Sequence, residues 1–64
     1  MNYYVVRQKR SFSIVRADSM TVDHGAAIFY KDLDVISAFG TWDDLIRVPD
    51  VATAEKFIAE YKHA

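Results

Sequence analysis

The feature that most limits how this chain can fold is the complete absence of cysteine from its 64 residues. A domain this short exposes much of its surface even when folded, and its core supplies only about 3–5 kcal/mol of net stability. Many domains of this size therefore add disulfides or a thiolate-ligated zinc, and neither is open here. With two histidines, a zinc site would need carboxylates for half its ligands. Stability must come from apolar packing or from self-association. The composition fits that demand, since 52% of the residues are hydrophobic and Gly and Pro together number three.

The chain reads as one α+β domain spanning residues 1–64. A small antiparallel, meander-like sheet of about four to five strands occupies 2–48, and one amphipathic helix over 50–63 packs on one face of it. Residues 2–8 are aromatic and β-branched, types that suit a pleated, half-buried surface. A hairpin connection of three to four residues follows at Gln8–Ser11. Phe12 and Ile14 then alternate with Ser13. Ala17-Asp18-Ser19 reads as a turn, residues 20–22 as a short strand of unassigned pairing, and Asp23-His24-Gly25 as the clearest turn in the chain. Residues 26–30 and 35–39 are continuous apolar runs that suggest central strands buried on both faces. The turn Lys31-Asp32-Leu33-Asp34 joins them. Residues 45–48 form a last strand, ended by Pro49, which has no N–H for the ladder.

Asp50 is placed to cap the helix, with Thr53 as an alternative cap. Val51, Ala54, Phe57, Ile58 and Tyr61 form one stripe at helical spacing. Lys62 and His63 sit where the helix's negative end favours cations. Such a stripe can seal one sheet face only. Yet Tyr3/Tyr4, Val5/Val6, Ile28/Phe29 and Val35/Ile36 put large side chains on both faces. Something else must cover the second.

Candidate chemistry is sparse, and no catalytic residue, metal ligand or cofactor is expected. Asp23 and His24 are neighbours, and adjacent side chains on an extended chain point apart, which makes a poor acid–base pair. The serines at 11, 13, 19 and 37 lie outside any strained Gly-x-Ser-x-Gly turn. Asp32, Asp34, Asp43 and Asp44 lack the spacing and glycine of a calcium loop. Acidic residues in turns read more simply as solvated loops.

Charge distribution says more than the net value of −1. Residues 1–31 carry five Lys/Arg against two Asp, and residues 32–64 carry seven acids against three Lys/Arg. The first hairpin interleaves Arg7, Lys9, Arg10 and Arg16 with aromatic residues, the composition of a single-strand nucleic-acid platform. Against it stand a pI near 6.0 and the lack of an RRM-type signature. The segment before Arg7 is too short for a secretory core, and no apolar run approaches a membrane span. A cytoplasmic setting is the expectation.

The functional expectation is therefore a non-enzymatic protein-interaction domain. Its partners would be itself, as a dimer or larger oligomer, or a larger protein that it binds or inhibits stoichiometrically, with no membrane partner. Tyr3, Phe29 and Trp42 are the candidate interface residues. Small cysteine-free domains of this style are common among phage- or plasmid-encoded inhibitors. The alternative is a nucleic-acid module using Arg7, Lys9, Arg10 and Arg16.

Overall fold

The structure, a computed structural model, describes residues 2–62. Six strands and one helix follow in order: β1 (Asn2–Gln8), β2 (Ser11–Ala17), β3 (Ser19–Asp23), β4 (Ala26–Lys31), β5 (Asp34–Phe39), β6 (Asp44–Val48) and α1 (Val51–Lys62). The α+β class and the antiparallel pairing match the sequence reading. The single sheet of four to five strands does not, because the strands divide into two three-stranded sheets, ordered β2-β1-β6 and β3-β4-β5.

The division happens at Asp18. The sequence there reads as a reversal, but β2 runs through that one residue into β3 and changes sheet. Asp18 N–H donates to the Tyr30 carbonyl at 2.8 Å, and its Oδ2 accepts from the Asp32 N–H at 2.8 Å. Those bonds deliver residues 19–23 to β4, with Met20 opposite Phe29 and Val22 opposite Ala27. The chain returns to the first sheet only at β6, which pairs with β1 so that Val5 faces Ile46 and Val6 faces Leu45.

The result is three layers with β1 in the middle. Tyr4 and Val6 point toward the second sheet and form a core with Ala17, Ala27 and Phe29. Val5 points the other way and packs with Val48 and Ala54, flanked by Tyr3, Phe12, Ile46, Phe57 and Ile58. Helix α1 therefore covers one face of β2-β1-β6, and the chain's own β3-β4-β5 sheet covers the other.

The strand with both faces buried is thus β1, not β4 or β5. β5 is an edge strand, and Val35 and Ile36 are 60% and 44% exposed. A register shift opposite Phe29 and Tyr30 leaves Ile36 unpaired, which loosens that edge.

The turns are two-residue connections. His24 and Gly25 both take positive φ, 51° and 82°, the combination that matches the right-handed strand twist. Lys9 and Asp32 also hold positive φ, at 57° and 58°. The first hairpin turn is accordingly Lys9–Arg10, shorter than the sequence suggested.

Asp50 caps the helix, its Oδ1 accepting from the Thr53 N–H at 2.7 Å. Only the centre of the stripe is well covered: Ala54 is buried, whereas Val51 and Tyr61 at its ends are exposed. The expectation for His63 lies outside the described residues.

Two expectations test this architecture. Phe29 is 0% exposed and meets the rings of Tyr4 at 5.1 Å and Phe39 at 5.8 Å. Phe29→Ala should cost about 3–5 kcal/mol, comparable to the whole stability of the domain, and chemical denaturation should find it largely unfolded in water. For the cap, the Thr53 bonds hold the Asp50 carboxyl below its usual pKa. Its stabilisation is present above the unfolded-state value of about 3.9 and is lost as pH falls through the lower folded value. Asp50→Ala should lower the thermal midpoint at neutral pH, and the gap from wild type should close in strong acid.

Candidate protein-interaction surface

The three expected interface residues occupy three different settings. Phe29 lies wholly within the core between the sheets and offers no surface to a partner. Tyr3 is half-buried on the helix side, with the Arg16 guanidinium 6.0 Å from its ring centre. Trp42 is half-buried against the inter-sheet core, and its Nε1–H donates to the Gly25 carbonyl at 3.0 Å. The indole thereby pins the loop before β6 to the β3–β4 turn. The structure does not bring these residues together into one patch.

A different surface does form a contiguous apolar face. Because Ala27 and Phe29 point inward, the alternation along β4 turns Ile28 and Tyr30 outward. In register with them stand Thr21 and Ala38, and Ser19 and Val35. Ile36, at the bulge, adds to the same edge. At its end projects Leu33, 97% exposed at the tip of the β4–β5 hairpin. Nothing in the chain packs over this outer face among the described residues. Val35 and Ile36 were visible in the sequence as large residues on opposite faces. Leu33 was missed, although an apolar residue inside an otherwise polar turn was the available signal.

The cationic residues of the first hairpin are not presented as one free stripe. Arg7 is 17% exposed and is held by acids of β6 and the residue before it. Its Nε donates to Asp44 Oδ2 at 2.6 Å, and its Nη1 donates to the Lys9 carbonyl at 2.7 Å and lies 3.7 Å from Asp43 Oδ2. The hydrogen bond to Asp44 is the main reason that the guanidinium holds its proton even more firmly than usual. Its face lies 5.0 Å from the Tyr61 ring centre. The Lys9 N–H donates to Asp43 Oδ2 at 2.6 Å, so the turn is tied to the same acids. Arg10 and Arg16 remain exposed.

Beside this cluster lies a groove of about 330 Å3 lined by Arg10, Phe12, Tyr61 and Lys62. The two rings meet edge to face at 5.3 Å, and Lys62 Nζ lies 5.9 Å from the Phe12 ring centre. A smaller groove of about 190 Å3 is lined by Gln8, Lys9, Thr41, Trp42 and Asp43.

Asp23 and His24 do pair, with Oδ1 and Nδ1 2.8 Å apart, contrary to the extended-chain expectation. The reason is the positive φ of His24, which takes the residue out of extended geometry. Both side chains stand in solvent. Among the described residues, no three His, Cys, Asp or Glu side chains come together as a metal site, and no helix is long and apolar enough to cross a membrane.

No family model, curated protein or solved structure matches this chain.

If the outer face is surplus to the fold, polar substitutions there should leave the fold intact. The pair Val35→Thr and Ile36→Thr should change unfolding free energy by less than about 0.5 kcal/mol each while lowering the fluorescence of a bound apolar dye. A loss of stability as large as that of a core truncation would show that the face is internal packing.

Proposed function

We propose that this chain is a non-enzymatic protein-interaction domain that works by self-association, by stoichiometric binding or inhibition of a larger protein, or by both. One observation carries the reading. Two layers already cover both faces of β2-β1-β6 and complete the core, yet the outer face of β3-β4-β5 keeps Leu33, Val35 and Ile36 in water. Exposed apolar residues scattered singly are ordinary, whereas a contiguous set on one sheet face marks an interaction site.

The absence of cysteine, and with it of any disulfide, adds to the case. A domain that leaves apolar surface uncovered gives up burial that its small core could use. Binding to the folded state would restore stability by mass action. The Asp23–His24 pair, the nearest approach to acid–base machinery, is solvated and belongs to a turn.

Site-specific photo-crosslinking tests the reading. A photoreactive residue at Val35, on the proposed surface, should give covalent protein adducts in cells that express the chain. The same probe at Lys56, exposed on α1, should give none. Equal yields from the two positions, or none from either, would reject the surface. Adducts at Val35 that vanish on nuclease treatment would favour nucleic acid instead.

A further inference from the structure

The exposed hairpin tip and the aromatic groove are opposites in charge and in shape. Leu33 is an apolar knob flanked in sequence by Asp32 and Asp34. Asp18 stands against the same turn, its carboxylate bonded to the Asp32 N–H. Lys31 stands opposite Asp34 in the ladder. The groove presents the complement: an apolar floor of Phe12 and Tyr61 with Arg10 and Lys62 at its rim. Two acids at this end, Asp43 and Asp44, are engaged by Arg7.

From this complementarity we infer that the Leu33 tip of one copy docks in the Phe12–Tyr61 groove of a second copy, with Asp32 and Asp34 facing Arg10 and Lys62. The inference rests on the protein-interaction reading above and names the partner as another copy of this chain.

A chain cannot fill its own groove. The groove lies beside the Lys9–Arg10 turn, at one end of β2. The other end of β2 leads through Asp18 into Ser19, which stands opposite Tyr30 in the ladder, close to the β4–β5 tip. Seven residues of extended strand separate the two ends, about 23 Å at roughly 3.3 Å per residue. Nor does a symmetric tip-to-tip contact fit, because it would set the carboxylates of Asp32 and Asp34 against their own copies. Tip into groove is a heterologous contact. Repeated, it builds an open chain or a ring and does not stop at a dimer.

The contact is small, so it belongs to the weak class, with a Kd on the order of 0.1–1 mM. It should weaken as salt screens its charged rim.

Sedimentation velocity over a concentration series is the test. Wild-type protein should show an average mass that keeps rising past twice the 7.3 kDa chain and should dissociate as salt is raised. Leu33→Asp removes the knob and leaves the groove; Arg10→Glu with Lys62→Glu reverses the groove and leaves the knob. Each variant should stay folded by circular dichroism and bind itself at least tenfold more weakly than wild type. Mixed, the two should recover one tip–groove contact per pair and form a 1:1 heterodimer that grows no further. Recovery in the mixture is specific to a head-to-tail contact. A monomeric wild type, unchanged variants, or a mixture that stays monomeric would each overturn the inference. Crosslinks from Val35 to a different protein would stand in all three cases, so the broader reading is judged separately.

Discussion

Both hydrophobic cores of this domain are built on β1. Its alternation sends Tyr3 and Val5 toward the helix and Tyr4 and Val6 toward the second sheet, so one strand of seven residues anchors two cores. Burial on both sides is unusual for a strand in so small an antiparallel fold, where one face commonly meets water. Here it compensates for the missing disulfides. Val5 and Val6 are each 1% exposed, which means that neither can be replaced by a polar group without stranding it in an apolar layer. Hydrogen bonds from Asp18 and Trp42 tie the second sheet to this frame, and the surfaces available for function are whatever this packing leaves outside.

What is left outside is uneven. At the Lys9–Arg10 end, Arg7 binds acids from β6 and its flanking residue, lies over the ring of Tyr61 from the helix, and closes the three-way junction of hairpin, β6 and α1. Arg7 donates from two separate nitrogens of its planar fork, Nε to a carboxylate and Nη1 to a carbonyl, while its Cζ lies over a ring, an arrangement for which lysine is not an equivalent substitute. At the other end, the β4–β5 hairpin carries Asp32 and Asp34 on either side of one exposed leucine, with Asp18 bonded to the same turn. The excess of base in the first half of the sequence and of acid in the second thus survives folding, in part, as a molecule with unlike ends.

Much of the architecture was legible residue by residue. The alternation of Tyr3 through Val6, the cap at Asp50 and the spacing of Ala54, Phe57 and Ile58 are local patterns, and local patterns report which elements form. The turn at His24–Gly25 was equally plain, since glycine tolerates the positive φ that the turn requires. The sequence also showed that one helix could not cover every apolar face. It could not show that the cover came from the same chain. That depends on Asp18, which reads as a turn but conducts β2 into β3, and its hydrogen bonds go to residues 12 and 14 positions away. No local pattern encodes a bond of that separation.

The interface residues divide along the same line. Phe29 looked like a candidate because it is large and aromatic on a strand with apolar neighbours on both sides. Its parity with Ala27 and the arrival of β1 above it made it core instead. Leu33 looked like part of a polar turn and became the most exposed large apolar residue of the described chain. By itself the sequence determined the class of fold, the helix with its cap, the absence of covalent staples and the excess of apolar surface, because each follows from composition and short-range periodicity. Only the tertiary structure decided which sheet covers which, which aromatic is buried and where the surplus surface lies. The physical reason is that a strand's two faces are chemically alike until a distant strand arrives to bury one of them.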